Sequence, residues 1–467
     1  MHGKNPERVP GSFRDPGSHV YLLEESVYRS LTPTAAAAFE AVRRTGVLDS
    51  LISERWIVRT ETVDPGVLGE IGQSATLVLQ HEKVPFLSYP YEWSFAQLRS
   101  AALFHLDLHL RLLEYGITLN DSTAYNLQFV GAAPIFIDVT SLRPYQEGEY
   151  WQAHRQFCEQ FLHPLLLHSV LGIPHNAWFR GNLDGLPLDQ MAALSPWWAC
   201  LDWRFFLHVV MQNRLQQWAE TKRDTAAARV RRHGLSRTAF MALLRQLRRF
   251  IKKLAPRRPK GSTWGEYATH NTYEAGESEA KRKFVGSFIQ RARPRLLLDL
   301  GCNTGDYSVV ALLHGTDYVV GFDADQQALN AAFHRSHREH LAFLPLYQDL
   351  ANPSPDQGWK QLERSGLGNR ARGQALLALA LVHHLAIGRN IPLDQVINAL
   401  IGMAPRGVIE FVPKADPTVQ KMLALREDIF CDYTSDAFER LLGQQTQIVE
   451  KQTISASGRT LYAYELL

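Results

Sequence analysis

The chain has 467 residues, more than one ordinary hydrophobic core supports, so we expect two or three domains. Its 45% hydrophobic and 21% charged residues are typical of a globular protein, and a formal net charge of +3 is too small to predict a specific nucleic-acid partner. The sequence has no signal-peptide pattern and no apolar run of about 18 residues, and its four cysteines lack metal-ligand or disulfide spacing, which predicts a cytoplasmic protein without a transmembrane segment.

The N-terminal part predicts a mixed arrangement of strands and helices. The predicted strand "SVYRSL" carries Arg29 and precedes a helix that contains Glu40. Residues 82–116, "EKVPFLSYPYEWSFAQLRSAALFHLDLHLRLLEYG", predict a strand end, a connector and a long amphipathic helix.

The next segment, residues 117–143, reads "ITLNDSTAYNLQFVGAAPIFIDVTSLR" and concentrates polar side chains. Asp121 stands five residues before Asn126, and Asp138 follows a predicted β-hairpin whose turn is "VGAAP". One interpretation is a polar site formed by these three residues. The alternative is that Asp121 and Asn126 make Asx turns and that Asp138 caps a loop.

This order of elements resembles the protein-kinase-like and aminoglycoside-phosphotransferase-like fold over residues 12–220. The resemblance implies an α+β domain in which Asp121 orients a hydroxyl group, Asn126 and Asp138 hold magnesium on the phosphates of ATP, and the arginine–glutamate pair named above replaces the usual lysine–glutamate pair. The Gly-rich loop, the strand lysine and the His or Arg before the catalytic Asp are missing. We therefore expect a degenerate domain that presents substrate or binds nucleotide.

Residues 221–261 predict a basic helical linker. Between Lys222 and Lys260 the sequence holds fourteen Lys or Arg residues and one acid. Apolar residues recur at helical spacing in "SRTAFMALLRQLRRFIKKLAP", with basic residues between them. The simplest interpretation is a connecting helix with a solvated face; a peripheral contact with an anionic lipid or glycan surface is the alternative.

The C-terminal part alternates apolar runs with helical patterns, as in a βαβ sheet. A closing hairpin is predicted at "TQIVEKQTI" and "GRTLYAYELL". The preceding strands are predicted at "RLLLDL", "YVVGFDAD", "LAFLPLYQDL", "ALLALALVHHL" and "GVIEFVPK".

A Gly-rich turn follows the first of these strands. It runs from Asp299 through Gly301, Asn303 and Gly305, and Asp306 then opens a helix. A dinucleotide fingerprint would read G-x-G-x-x-G and would hold a pyrophosphate at the helix N-terminus. Here the spacing is G-x-x-x-G, and acids at the mouth of the turn would repel a pyrophosphate but suit a ligand with an ammonium and a sulfonium group, such as S-adenosylmethionine.

Two further acids end the next two predicted strands. Asp323 follows the glycines by about 20 residues, where a carboxylate can accept both ribose hydroxyls. Asp349 is placed to accept from the adenine amine, with Leu350 beside the ring. Any one of these acids could be a helix cap or turn residue. The three acids together with the turn predict one crevice at the carboxyl edge of the sheet.

This half resembles the class I S-adenosylmethionine-dependent methyltransferases over residues 262–467. The resemblance implies an α/β Rossmann-like sheet with a terminal β-hairpin. It also implies that the turn residues lie near the methionine moiety, Asp323 on ribose and Asp349 on adenine.

Candidate catalytic residues come from the fourth and fifth strands. His383 and His384 are predicted at the mouth of the sheet, where one of them could take a proton from the methyl acceptor. The alternative is that one packs under a loop and the other meets solvent. Glu410 is another candidate, or an ion-pair partner of Lys414.

The phrases "EFVPKADPTVQ" and "REDIFCDYT" resemble a bacterial group of nodulation-type methyltransferase-like proteins. The leading hypothesis is methyl transfer to a small-molecule or glycan-type acceptor, with a kinase-like domain that presents substrate or binds nucleotide. The alternatives are a bifunctional enzyme that also phosphorylates its acceptor with Mg-ATP, and a non-enzymatic ligand-binding scaffold.

Overall fold

The chain forms two compact units. The structure, a computed structural model, describes residues 5–201, 205–211, 235–257, 275–424 and 426–467. Unit 1 comprises residues up to Phe129, Pro134–Pro259 and Gln357–Arg364, and unit 2 comprises Val130–Ala133, Lys260–Asp356 and Ser365–Leu467. Among the described residues, no helix is both long enough and apolar enough to cross a membrane.

Unit 1 contains a small antiparallel sheet. The strands up to residue 144 are β1 (Glu7–Arg8), β2 (Ser18–Leu23), β3 (Ser26–Leu31), β4 (Thr60–Val63), β5 (Leu77–His81), β6 (Ile117–Leu119), β7 (Leu127–Val130), β8 (Ala133–Phe136) and β9 (Leu142–Pro144). The order in the five-stranded sheet is β1-β2-β3-β5-β4, and β6 pairs with β9 and β7 with β8 in two smaller ladders. The predicted hairpin around "VGAAP" is therefore present as β7 and β8.

Helices make up much of the rest of unit 1. The α-helices in the described residues of unit 1 are α1 (Pro33–Arg43), α2 (Val47–Ser53), α3 (Glu70–Gln73), α4 (Phe95–Glu114), α5 (His154–Phe157), α6 (His163–Leu166), α7 (Asn176–Gly181), α8 (Leu188–Leu194) and α9 (Arg237–Lys253). The long helix α4 begins at a capping box, in which the Ser94 hydroxyl accepts from the Gln97 amide (3.3 Å) and the Gln97 side chain accepts from the Ser94 amide (2.9 Å).

Helix α9 lies in the segment where the sequence predicts a linker. It packs along α4 and buries Phe240, Leu244, Leu247 and Ile251. Arg248 forms an ion pair with Asp107 of α4. The described part of this segment is thus a packed helix of unit 1, and the rest of the predicted linker lies outside the described residues.

Unit 2 is a seven-stranded sheet. Its strands are β10 (Leu296–Leu300), β11 (Tyr318–Asp323), β12 (Phe343–Tyr347), β13 (Ala375–Ala378), β14 (Arg406–Phe411), β15 (Thr446–Thr453) and β16 (Thr460–Leu466). The order is β12-β11-β10-β13-β14-β16-β15; β10 to β14 are parallel to one another, and β16 is antiparallel to both β14 and β15. A β-bulge interrupts the register of edge strand β15 between Ile448 and Glu450.

Helices connect these strands. They are α10 (Ala275–Ala292), α11 (Asp306–Leu313), α12 (Gln326–Glu339), α13 (Leu367–Arg370), α14 (Val382–Ala386), α15 (Leu393–Ile401), α16 (Pro417–Leu423) and α17 (Ser435–Gly443). Because parallel strands end at the same edge of a sheet, the segments after β10, β11, β12, β13 and β14 share one edge, where open α/β sheets bind their ligands.

Candidate functional site

A tight turn joins β10 to α11 at this edge. Gly301 and Gly305 have φ angles of +78° and +83°, values that residues with a side chain rarely adopt. A Cβ added to Gly305 would lie 2.5 Å from a ring carbon of Phe343, a buried residue of β12. The chain therefore needs glycine here both for its backbone conformation and for its close approach to the sheet.

The backbone amides of the turn, residues 301–305, all donate hydrogen bonds within the protein. Their acceptors are the Phe322 carbonyl for Gly301 (2.8 Å) and Cys302 (3.0 Å), Asp323 Oδ2 for Asn303 (2.8 Å), Asn303 Oδ1 for Thr304 (2.8 Å) and the Cys302 carbonyl for Gly305 (2.8 Å). In a pyrophosphate-binding turn such amides point at the anion. In this turn they already have partners, which does not favour an anionic ligand.

Asp299 lies in β10, two residues before Gly301 of the turn, and is almost completely buried, with 2% exposure. Its Oδ2 accepts a hydrogen bond from the Ser308 hydroxyl (2.6 Å). Burial raises the pKa of this carboxyl to about 6; the Ser308 hydrogen bond opposes the rise, and the nearby carboxylate of Asp323 adds to it. A cation bound beside Asp299 would relieve both the burial cost and the repulsion.

Asp323 lies at the end of β11, as predicted. Its Oδ1 accepts from the Asp325 amide and its Oδ2 from the Asn303 amide, both at 2.8 Å. Burial raises its pKa, although these backbone hydrogen bonds act in the opposite direction. Each oxygen keeps a second lone pair for a ligand hydroxyl. Asn303 thus contributes by orienting Asp323, a role that its sequence position alone does not reveal.

Asp349 follows the end of β12 by two residues and is half-buried, as is Leu350. Its Oδ1 accepts from the Ala351 amide (3.0 Å), and its Oδ2 accepts from Arg389 Nη2 (3.0 Å). Arg389 comes from the segment after β13, and the sequence analysis did not identify it. The acids at the carboxyl ends of β10, β11 and β12 therefore stand at the shared edge, and the third already has a cationic partner.

The fourth strand is shorter than predicted. The apolar run "ALLALALVHHL" forms β13 only over Ala375–Ala378, and the two histidines lie in the short helix α14. Ala380 has a φ angle of +51°, so the strand cannot continue through it. The prediction of a strand through both histidines is therefore wrong. The residue next to α14 nevertheless lies close to the Gly-rich turn, since Leu381 is 3.7 Å from the position that a Cβ on Gly301 would take.

His383 is buried, with 1% exposure, and its Nδ1 has no hydrogen-bond partner. Burial, followed by the neighbouring His384 and Arg459, holds the pKa of His383 well below its usual value. The two imidazole centroids are 4.2 Å apart, and burial lowers the pKa of His384 as well. The His383 ring is therefore neutral near pH 7, and its buried Nδ1 has no hydrogen-bond partner within the described protein.

Glu410 is fully buried in β14 and pairs with two cations. Its carboxylate lies 2.6 Å from Lys281 Nζ of α10 and 3.8 Å from Arg459 Nη1. Lys414, the alternative partner in the sequence analysis, pairs instead with Asp428 (2.8 Å), because it lies beyond the strand end on an exposed segment. Glu410 thus belongs to a buried ionic network.

This buried network extends to the terminal hairpin. Arg459 forms a bidentate pair with Asp416, with Nε–Oδ2 at 2.7 Å and Nη2–Oδ1 at 2.9 Å. Lys281 Nζ also lies 4.8 Å from the ring centroid of Tyr307, in the first turn of α11. The network therefore links the segments after β10 and β14, and the sequence analysis recognised only Glu410 in it.

A cavity of about 500 Å³ lies between the segment that follows α14 and the segment that leads into α17. Ala386, at the end of α14, is part of its wall. Apolar side chains dominate the lining, and carboxylate and guanidinium groups stand among them; they include Ile391, Leu393, Phe430, Asp432 and Arg440. This volume suits a small organic ligand.

Unit 1 brings the predicted polar residues of its loop together. Asn126 Nδ2 donates to Asp121 Oδ1 (2.8 Å) and to Asp138 Oδ2 (3.3 Å), and Arg29 Nη1 lies 2.6 Å from Asp138 Oδ1. Burial, and then the charge of Asp138, raises the pKa of Asp121 to about 7. The three loop residues and Arg29 therefore form one polar cluster.

The predicted pairing of Arg29 with Glu40 is wrong. Glu40 forms an ion pair with Arg43 one helical turn away (3.0 Å), because both lie on α1. Arg29 forms its ion pair with Asp138 instead. The arrangement does not fit a magnesium ion held by Asn126 and Asp138, since a guanidinium already occupies one oxygen of Asp138 and the Asn126 amide nitrogen faces both carboxylates. Across the described ranges, no group of three or more His, Cys, Asp or Glu side chains is arranged to hold a metal ion.

Comparison with known proteins places the whole chain in a family. No protein-family model matches it. The nodulation protein NoeA of Rhizobium meliloti (strain 1021) is 46% identical over 462 residues, which cover 98% of this chain and 96% of that protein. The chain belongs to the NoeA family of nodulation proteins. The resemblance to nodulation-type proteins is thereby confirmed.

Solved structures resemble this NoeA-family chain over less than half its length. N-methyltransferase NodS from Bradyrhizobium japonicum WM9 has 12% identity and a TM-score of 0.31, covering 41% of this chain and 98% of that chain. PH0226 from Pyrococcus horikoshii OT3 has 14% identity and a TM-score of 0.32, covering 44% and 100%. The assignment of unit 2 to a Rossmann-like sheet with a terminal hairpin therefore depends on its own strand order.

Proposed function

We propose that unit 2 is an S-adenosylmethionine-dependent methyltransferase that acts on a small-molecule or glycan-type acceptor. The observation that carries this proposal is the chemistry of the turn after β10. Its amides have protein acceptors, and the buried Asp299 and the half-buried Asp323 carboxylates stand beside it, so the site favours a nucleoside with positive charge over a nucleotide. In this proposal Asp299, Gly301, Asn303 and Gly305 lie at the methionine end.

The rest of the cofactor would lie along the sheet edge. Asp323 is placed to accept the ribose hydroxyls through its remaining lone pairs, and Asp349 and Leu350 are placed at the adenine. Bound S-adenosylmethionine supplies an electrophilic methyl group, and its transfer to an acceptor oxygen or nitrogen leaves the electron pair of the broken carbon–sulfur bond on sulfur. An acceptor hydroxyl or ammonium must also lose a proton.

His383 is the proposed acceptor of that proton. Its imidazole is neutral, its Nδ1 has no partner, and it lies in the helix that ends at the 500 Å³ cavity. We assign His384 to packing against that ring, and Glu410 to holding Lys281 and Arg459. The cavity, with apolar walls and charged groups at Asp432 and Arg440, is the proposed acceptor site.

Calorimetry with S-adenosylmethionine tests the cofactor assignment. We expect Asp323→Asn to weaken binding more than tenfold, since it removes charge-assisted hydrogen bonds. Asp325→Asn is the matched control, because this residue caps α12 through hydrogen bonds to backbone amides and Asn caps helices equally well. Equal loss in both variants, or no binding by the unsubstituted chain, would overturn the proposal.

Mass spectrometry then tests the reaction and the acceptor. The full chain is incubated with bacterial extract and S-adenosylmethionine that carries an isotopically labelled methyl group. We expect a labelled small molecule or glycan that is absent with Asp323→Asn. Tight cofactor binding with no labelled product would favour the ligand-binding scaffold instead.

For unit 1 we propose a degenerate kinase-like domain that presents substrate or binds nucleotide. The convergence of Arg29, Asp121, Asn126 and Asp138 from distant positions supports a site there. The Arg29–Asp138 pair argues against the bifunctional alternative, since a bound magnesium ion would have to displace the guanidinium. We expect no magnesium-dependent ATP turnover; turnover that Asp138→Asn abolishes would establish the bifunctional enzyme.

A further inference from the structure

The outer face of α9 carries four cations without acidic partners. Arg245, Arg249, Lys252 and Lys253 are exposed, and none forms an ion pair within the described part of the chain. At 3.6 residues per turn, these four positions fall within an arc of about 100°. The helix contains no Asp or Glu, so no charge on its own surface neutralises the stripe.

The inner face of α9 is fully used by the fold. Phe240, Leu247 and Ile251 pack against α4, and Arg248 is paired with Asp107. A helix whose apolar face is buried in its own protein cannot lie in a bilayer as a free amphipathic helix does. Any partner of α9 must therefore be recognised by the cationic outer face and by what surrounds it.

Exposed tryptophans lie where this helix ends. Trp197 is 78% exposed and Trp198 is 42% exposed. The guanidinium of Arg257 lies over the Trp198 ring, 5.7 Å from its centroid, and also donates to the Val170 carbonyl (2.8 Å). Arg257 is four residues beyond Lys253, which is at most about 14 Å of extended chain. The aromatic pair and the cationic stripe thus belong to one region of unit 1.

We propose that the outer face of α9, with Trp197 and Trp198, is a peripheral attachment surface for an anionic phospholipid bilayer. Exposed Lys and Arg side chains are attracted to anionic headgroups, and indole rings partition into the boundary between headgroups and acyl chains. The tryptophans lie at one end of the stripe and do not alternate with its cations, which is unlike a groove where bases stack between basic residues.

Sedimentation with vesicles tests this attachment. The full chain is mixed with vesicles of equimolar phosphatidylcholine and phosphatidylglycerol, or of phosphatidylcholine alone. We expect binding to the anionic vesicles that falls steeply as salt is raised to about 0.5 M. The variant R245Q/R249Q/K252Q/K253Q should bind at least about 100-fold more weakly, because each cation near an anionic surface contributes about fivefold.

A matched control separates the position of the charges from their number. The variant R44Q/R282Q/K283Q/K421Q removes four exposed cations elsewhere and should bind anionic vesicles as the unsubstituted chain does. Equal loss in both variants, or no binding to anionic vesicles at low salt, would overturn the proposal. Binding to single-stranded RNA through the α9 cations without vesicle binding would also overturn it.

Brominated phospholipids give an independent readout of the tryptophans. These lipids quench indole emission only at the depth of the acyl chains, so bound protein should lose part of its fluorescence. The variant W197F/W198F should stay folded and lose most of this quenching. Unchanged quenching would show that the bilayer contacts other tryptophans and that the proposed surface is wrong.

Discussion

The Asp299 carboxyl makes cofactor binding depend on pH. In the free protein its pKa is raised to about 6, chiefly by burial, so the carboxyl takes up a proton as the pH falls through that value. A cationic ligand prefers the ionised form, so the proton competes with it. We expect the Kd for S-adenosylmethionine to rise about tenfold per pH unit below about pH 6 and to be constant above about pH 7.

Calorimetry at several pH values across this range measures the Kd for S-adenosylmethionine, for the unsubstituted chain and for Asp299→Asn. The variant keeps an acceptor for the Ser308 hydroxyl but cannot ionise, so its binding should be weak and independent of pH. We expect no contribution from the His383 ring, because burial holds its pKa well below the usual histidine value. A flat profile for the unsubstituted chain would contradict the assignment of Asp299.

Gly305 combines a left-handed backbone with a close contact to Phe343. We expect Gly305→Ala to lower the free energy of unfolding by about 2–4 kcal/mol, from backbone strain and overpacking. Gly315→Ala is the control: Gly315 also has a positive φ angle, +107°, but a Cβ there meets nothing within 4 Å. Urea unfolding should show a loss of only about 1 kcal/mol for the control; equal losses would mean that the contact with Phe343 contributes nothing.

The neutral imidazole of His383 predicts a selective loss of catalysis. Its Nδ1 has no partner to lose, so His383→Gln should leave the affinity for S-adenosylmethionine unchanged. The rate of methyl incorporation should fall about 100-fold if this ring accepts the proton. His384→Gln is the neighbouring control and should change the rate much less; the reverse order would assign the role to His384.

Among the elements, α10, β14 and the terminal hairpin are joined through buried charges. Lys281→Met removes the cation that lies 2.6 Å from the buried Glu410 carboxylate, and we expect a loss of about 3 kcal/mol in the free energy of unfolding. The double variant K281M/E410Q should be more stable than the sum of its single variants predicts. Lys414→Met, at the exposed pair with Asp428, should change the free energy of unfolding much less, because solvent screens an exposed pair. Additive losses in urea unfolding would show that Lys281 and Glu410 do not interact.

The sequence predicted secondary-structure elements better than contacts between side chains. The alternation of apolar runs was enough to predict β10, β11, β14 and the terminal hairpin. The continuous apolar run in "ALLALALVHHL" fits a strand and a helix equally well. The strand stops before Ala380, which has a positive φ angle, and an alanine in the sequence does not predict such a backbone conformation. Lys281 and Asp416 look like any surface charge in the sequence, because burial of a charged residue depends on partners far away in the chain.

In the molecule as a whole, the two units offer opposite charges to their proposed ligands. At the proposed cofactor site of unit 2, Asp299 is buried and Asp323 and Asp349 are half-buried, so salt should change the Kd for S-adenosylmethionine by less than about twofold up to about 0.5 M. The α9 stripe of unit 1 is exposed, and vesicle binding should disappear over the same range. Calorimetry measures cofactor binding and sedimentation measures vesicle binding, both in the same series of salt concentrations. If cofactor binding fell with salt as steeply as vesicle binding, the cofactor site would be open to solvent ions.

The limits of sequence reasoning differ between the units. In unit 2, spacing within a repeated strand–helix pattern brings Asp299, Asp323 and Asp349 to one edge, because parallel strands fix where their ends lie. In unit 1, the antiparallel strand order does not fix which side chains meet. The sequence predicted an ion pair between Arg29 and Glu40, whereas Arg29 pairs with Asp138. Only coordinates could show that contact, since 109 residues separate the two positions.

The β-bulge in β15 has a consequence for how the protein behaves at high concentration. An uninterrupted outer strand offers its free amides and carbonyls to a strand of another molecule, which is how sheets grow into aggregates. Here the bulge between Ile448 and Glu450 breaks that row, and the charged side chains of Glu450 and Lys451 pair with Arg291 and Glu439. This side of the sheet is therefore protected against intermolecular strand addition when molecules crowd together.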